Sequence, residues 1–99
     1  MRKLHHPARG DINLHSVLYA LSDPTRLDLV RQAAAVPELA VKGCGSTVSK
    51  STLSHHFSIL RTAGITRTRT EGTQRFVSLR RKDLDARFPG LLDVLLSIQ

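Results

Sequence analysis

Apolar residues fall along the chain first at helical spacing and then in alternation, and the change of period marks out its elements. Leu14, Val17, Leu18 and Leu21 stand at i, i+3, i+4 and i+7, the stripe of a short helix. Asp23 and Pro24 follow as an N-cap and a proline at the first helical position, where no backbone N–H is called for. Leu27, Leu29 and Val30 then predict a second helix to about Ala35. Pro37 predicts a third, brief helix through Glu38, Leu39 and Val41, ended by Gly43 and Gly45 on either side of Cys44. The strongest helical pattern comes next, over residues 50–63. At about 100° per residue, Leu53, Phe57 and Leu60 share one narrow arc with Ala63 beside them, while Ser54, His55, Ser58, Arg61 and Thr62 face away. Ser49 or Ser51 can cap this helix, and Gly64 ends it.

From Ile65 the period becomes two. Ile65, Arg67 and Arg69 take one side of a strand and Thr66, Thr68 and Thr70 the other. Glu71-Gly72-Thr73 supplies a turn, and the return strand alternates Phe76, Ser78 and Arg80 with Arg75, Val77 and Leu79. Neither face is cleanly apolar, as fits a thin hairpin packed partly on helices. A last helix is predicted after Lys82, with Asp83 as its cap and Pro89-Gly90 interrupting it before the apolar run from Leu91 to Ile98. The pattern as a whole predicts a mainly α chain with a small β-hairpin, of the α+β class. Its basic helix covers about residues 50–63, its hairpin about 65–80, and an apolar helix closes it. Residues 1–10, with His5, His6, Pro7 and Gly10, read as a loose arm on a single domain spanning 1–99.

Length narrows the possibilities. A chain of 99 residues buries only about 60–70% of the surface its unfolded form exposes, so one modest core carries its stability and pairing with a second copy would help. No apolar run reaches the roughly 18 residues of a membrane span, and the start MRKLHHPARGD lacks the apolar centre of a secretory signal. The expected location is the cytoplasm, with no membrane partner. A single cysteine excludes an internal disulfide and a cysteine-based metal cluster within one subunit.

Charge placement adds the chemistry. Residues 50–82 hold eight Lys or Arg against the single acid Glu71, residues 1–49 hold six against four, and residues 83–99 hold one against three. The excess sits on the amphipathic helix and the hairpin, where it is the electrostatic footprint of a polyanion-binding surface rather than a scattered solvated charge. An enzyme would need a nucleophile and base; Cys44 with His55 or His56 is the sole candidate pair, and no nucleophile motif surrounds it. An RNA-binding sheet would carry exposed aromatic pairs, whereas this chain has only Tyr19, Phe57, Phe76 and Phe88. Double-stranded DNA is the expected partner, since an amphipathic helix with a small, hydroxyl-rich outer face joined to arginine-rich strands is what entering a groove and gripping its phosphates requires. A sequence-neutral architectural DNA-binding protein is the alternative to a sequence-reading one, and it would show a steep salt dependence with little preference among sequences.

The segments ALSDPTRLDLV, KSTLSHHFSILRTAGI and RTRTEGTQRFVSLR, in that order, resemble the ArsR-type (arsenic-repressor) family of bacterial winged helix-turn-helix transcription factors over roughly residues 14–82. The resemblance implies a repressor that binds a palindromic operator as a homodimer and is released by an effector. Its recognition helices would enter successive major grooves about 34–36 Å apart, with the hairpin serving as a wing along the backbone or minor groove. Matched position by position, it points to Lys50, Ser51, Thr52, Ser54 and His55 as residues at base edges and adjoining phosphates. Arg61, Arg67, Arg69, Gln74 and Arg75 follow as phosphate and wing contacts. It also pairs the first and last helices across a two-fold axis, a role suited to Leu14, Leu18, Leu91, Leu92, Leu95 and Ile98. His56, on the flank of the apolar arc, is expected to be partly buried and bonded to backbone. Adjacent histidines point about 100° apart on a helix and do not share one ion.

The signal sensed is less legible. Many members of the family bind metal through a Cys-x-Cys pair ahead of the recognition helix or through Asp and His on the last helix. Here VPELAVKGCGST offers Cys44 alone and the last helix carries no histidine. No cofactor is therefore predicted. His5, His6, His15 and Cys44 leave open a metal site joining the arm to Cys44. A redox role for Cys44, with Lys42 favouring its thiolate, is also open, as is no role at all. The effector stays unidentified.

Overall fold

The computed structural model describes residues 4–44 and 47–98. A 3-10 turn at Arg9–Asp11 leads into α1 (Leu14–Leu21) and α2 (Pro24–Ala34), followed by a short strand β1 (Leu39–Ala40) and the helix α3 (Lys50–Thr62). The wing strands β2 (Thr66–Glu71) and β3 (Gln74–Leu79) come next, then α4 (Arg81–Arg87) and α5 (Leu91–Ser97). The helices start where short polar side chains accept otherwise unmet backbone N–H groups. Asn13 Oδ1 accepts from Ser16 at 2.9 Å, Asp23 Oδ2 from Arg26 at 3.0 Å and Ser49 Oγ from Thr52 at 3.2 Å. Each such cap contributes about 1 kcal/mol.

The sheet is antiparallel with strand order β1-β3-β2. Its register sets Thr68 opposite Val77 and Thr66 opposite Leu79 on one face, and Arg69 opposite Phe76 and Arg67 opposite Ser78 on the other. The threonine face is turned inward: Thr66 and Thr68 are buried with Val77, while Arg67 and Arg69 are exposed. Val17, Ala20, Leu29, Val30, Phe57, Leu60, Ile65, Leu84 and Leu92 complete a single core drawn from every helix.

The junction between α3 and β2 depends on Gly64. Its φ is +86°, and a Cβ there would lie 2.5 Å from Ile12 Cγ1 and 3.3 Å from Pro7 Cγ. Only a residue without a side chain lets the turn after the helix press against the N-terminal segment. That segment is held in place at several points. Pro7 is buried, its carbonyl accepts a 2.7 Å hydrogen bond from Arg80 Nη1, and His6 Nε2 accepts one of 3.0 Å from the Thr68 N–H.

Residues 6–10 are not a loose arm, because Pro7, His6 and the Arg9–Asp83 ion pair (2.7 Å) tie them to the wing and α4; residues 1–3 lie outside the described residues. The brief helix through Leu39 and Val41 is instead β1. Leu39 and Ala40 pair with Val77 and Phe76, and the Val41 N–H donates to the Arg75 carbonyl at 2.9 Å. Between Pro37 and the turn at Gly43 (φ +93°) the chain has too few residues for a self-supporting helix, whereas the open edge of β3 satisfies its backbone at once. Asp83 does not cap α4 but sits in its first turn, where it binds Arg80 Nε at 2.8 Å. Leu92, expected in the subunit interface, is 1% exposed and belongs to the core of its own chain. The break after Phe88 orients the second helix so that Val94 (58% exposed) and Ile98 (51%) face out with Leu14 and Leu18 of α1, while Leu91 and Leu95 are half-buried.

Candidate nucleic-acid interface

Leu53, Phe57 and Leu60 anchor α3 in the core, and that anchoring decides what its other side presents. Lys50, Ser51, Thr52, Ser54 and His55 are all exposed on the opposite face. At the first turn, Ser49 Oγ lies 2.9 Å from Thr52 Oγ1 and 3.2 Å from Ser51 Oγ, so the start of the helix is a cluster of small hydroxyl groups. Such a surface is short enough for the helix backbone to come close to a base edge, and its hydroxyls donate or accept as the edge requires.

His55 and His56 separate as their spacing demands. His55 is exposed, whereas His56 is half-buried and its Nδ1 accepts from Arg26 Nη1 at 3.3 Å. An arginine can only donate, so the remaining proton of a neutral His56 lies on Nε2. The partner is a side chain rather than the expected backbone group. Arg26 itself is 6% exposed and also donates to the carbonyls of Ala20 (2.7 Å) and Tyr19 (3.3 Å), lashing the end of α1 and the start of α2 to the middle of α3. Nothing in the sequence distinguishes Arg26 from a solvated arginine on a helix, since its three acceptors come from folding.

The wing arginines divide in the same way. Arg69 binds Glu38 in a bidentate pair (2.7 and 2.8 Å), adds Glu71 at 2.9 Å, and lies over the Phe76 ring at 4.6 Å. These hydrogen bonds stabilise its cation further and hold the Glu38 carboxyl below the usual carboxylate range. Arg69, expected among the phosphate contacts, is thus committed to fastening β1 to the wing; a glutamate 31 residues away in sequence gave no warning. Arg67 is exposed and only 3.9 Å from an oxygen of Asp83, a loose pairing that leaves its guanidinium available. Arg75 and Gln74 are exposed, and among the described residues the Arg75 side chain has no acidic partner.

Between α3 and the sheet runs a groove of about 710 Å³ that brings five of the expected contact residues together: Lys50, Ser54, Arg61, Gln74 and Arg75. Arg61 is half-buried there, and its Nε has no partner. Desolvation, and next the like charge of Arg75, make its cation less favourable than in water.

The groups considered for metal do not converge. His5 and His15 are exposed, His6 uses its Nε2 to hold the Thr68 N–H, and the Cys44 thiol donates to the Ala40 carbonyl at 3.0 Å. Among the described residues no three His, Cys, Asp or Glu side chains are placed to hold an ion. Burial pushes the Cys44 thiol up, against the thiolate expected from Lys42. Among the described residues of one chain, the groups considered for a metal do not form a site.

Among the described residues no helix is long and apolar enough to cross a membrane. No protein-family model matches the chain. It is 37% identical over 82 residues to YceK of Bacillus subtilis, an uncharacterized HTH-type transcriptional regulator, the alignment covering 80% of this chain and 82% of that one. Its fold matches the transcriptional repressor BigR from Xylella fastidiosa with a TM-score of 0.63 and 29% identity, covering 87% of this chain and 88% of that one. It matches a possible transcriptional regulatory protein (fragment 1–100) from Mycobacterium bovis with a TM-score of 0.66 and 25% identity, covering 86% and 91%. An ArsR family transcriptional regulator shares the fold with a TM-score of 0.69 at 20% identity, over 82% of this chain and 90% of that one. With its exposed helix face, its three-stranded winged sheet and these relatives, the chain belongs to the HTH-type transcriptional regulators and has the winged helix-turn-helix fold that it shares with an ArsR family regulator.

Proposed function

We propose that this regulator is a cytoplasmic repressor that occupies a palindromic DNA operator as a homodimer and leaves it when a small effector binds. The observation that carries this reading is the outer face of α3, with Lys50, Ser51, Thr52, Ser54 and His55 exposed above a buried anchor. In this reading Ser51, Thr52, Ser54 and His55 meet base edges, Lys50 meets a guanine or an adjoining phosphate, and Arg67 and Arg75 grip the backbone from the wing. Leu14, Leu18, Val94 and Ile98 support the dimer. They are large apolar side chains left 43%, 48%, 58% and 51% exposed on the first and last helices, where a second copy would cover them. Two-fold symmetry then sets the half-sites about 34–36 Å apart.

The test is a fluorescence-anisotropy titration against an operator selected from random duplexes, at two salt concentrations. A sequence-reading dimer prefers the selected palindrome over random DNA by roughly 10³-fold or more and binds two chains per site. Equal affinity for both duplexes would return the protein to the architectural class.

A further inference from the structure

The groove between α3 and the sheet has features that DNA recognition leaves unused. Its rim is cationic, with Lys50, Arg61 and Arg75, and its floor is apolar, formed by Leu53, Phe57 and Val77. Two residues that line it each hold a buried polar atom with no hydrogen-bond partner: Thr68, 6% exposed, at its hydroxyl, and Arg61 at Nε. A buried hydroxyl and a buried guanidinium N–H left unmet are each costly, and a like-charged arginine beside the second adds to the cost. An anion placed between them would offset all three. Duplex phosphates on the rim have no use for an apolar floor. At about 710 Å³ the space falls within the roughly 300–1,000 Å³ of small-molecule sites, which are mostly apolar with a few convergent polar groups.

We propose that this groove is the effector site and that it takes a small amphipathic organic anion, an aromatic or branched aliphatic carboxylate. Its carboxylate accepts from Arg61 Nε and the Thr68 hydroxyl, and its apolar body lies on Leu53, Phe57 and Val77. The proposal rests on the repressor reading, because Lys50, Ser54, Arg61 and Arg75 also belong to the DNA-facing set. A ligand that ties down Arg61 withdraws one cation from the operator and shifts α3 against the wing.

The test uses the full chain without DNA. Benzoate, 3-phenylpropionate and 4-methylpentanoate are titrated against ¹⁵N-labelled protein by NMR, with 3-phenylpropionamide as the uncharged control. At least one carboxylate should give saturable shifts at the Arg61 Nε–H and at the amides of Thr68 and Val77, and the amide should not. Arg61→Gln should weaken that binding about tenfold or more, and Thr68→Val about three- to tenfold. Thr68→Val should leave operator affinity unchanged, since Thr68 takes no part in the DNA surface. Absence of saturable shifts from all three carboxylates, or shifts centred elsewhere, would overturn the proposal. So would saturation of the groove without release of a bound operator. If groove binding appears as expected while the protein fails to prefer any operator, the repressor reading falls and the anion site stands.

Discussion

Replacing Gly64 by alanine perturbs the one point where the recognition helix, the wing and the N-terminal segment meet. The backbone there has φ +86°, a conformation that costs a residue with a side chain about 1–2 kcal/mol. The new methyl group would stand 2.5 and 2.8 Å from Cγ1 and Cδ1 of Ile12, which is 1% exposed and has nowhere to turn. Overpacking of this kind costs about 1–3 kcal/mol. Against these, alanine removes freedom from the unfolded chain and returns about 0.4–1 kcal/mol. The balance is a loss of about 1–4.5 kcal/mol, a large part of the roughly 5–15 kcal/mol available to a native domain. Thermal unfolding followed by circular dichroism should show Tm lowered by about 4–35 °C for a domain of this size. A variant melting within about 4 °C of the natural protein would mean that the Gly64–Ile12 contact is not close, and with it that the N-terminal segment does not brace the α3–β2 junction.

In salt-dependence titrations, Arg75→Ala should flatten the slope of log affinity against log salt by about 0.9, the loss of one phosphate contact, whereas Arg69→Ala should leave it unchanged because Glu38 and Glu71 already hold that charge. Leu18→Glu combined with Val94→Glu should convert the proposed dimer to a monomer in sedimentation while keeping the chain folded, since both side chains are about half exposed; Leu92→Ala should instead cost about 2–5 kcal/mol of chain stability. The pH response follows from His6. Burial first, then the charges of Arg61, Arg67 and Arg80, lower its pKa in the folded chain, so the unfolded chain takes up the proton more readily. Its contribution is present above the unfolded value of about 6.5 and fades as pH falls through the lower folded value. Urea unfolding between pH 7.5 and 5 should therefore show a stability loss that His6→Ala reduces.

How much of this was legible depends on whether a residue's partners are near it in sequence. The α3 pattern was readable because Leu53, Phe57 and Leu60 repeat within one helix, and its cap lies one residue before it. The inward side of β2 was not, because threonine serves equally on a buried or a solvated face, and only the pairing of Thr68 with Val77 decides. Leu39 and Ala40 turned out to be a strand because β3 offers them an open edge nearly 40 residues later. Arg26, Arg69 and Arg80 look alike as sequence, yet folding gives Arg26 two backbone carbonyls and an imidazole, Arg69 two carboxylates, and Arg80 a carbonyl and Asp83. The apolar run from Leu91 to Ile98 is hydrophobic nearly all round, so its period could not tell Leu92, which faces inward, from Val94, which faces out.

The most direct measurement of whether the outer face of α3 reads DNA is the ratio of affinities for the selected operator and for random duplex, taken for the natural chain and for Ser54→Ala combined with His55→Ala. Both side chains are exposed, so the fold should survive the change. The ratio should fall by about tenfold or more, mostly through weaker operator binding, because each base-edge contact is worth about 1–3 kcal/mol of discrimination. An undiminished ratio in a folded, dimeric double variant would contradict the assignment of this face to sequence reading.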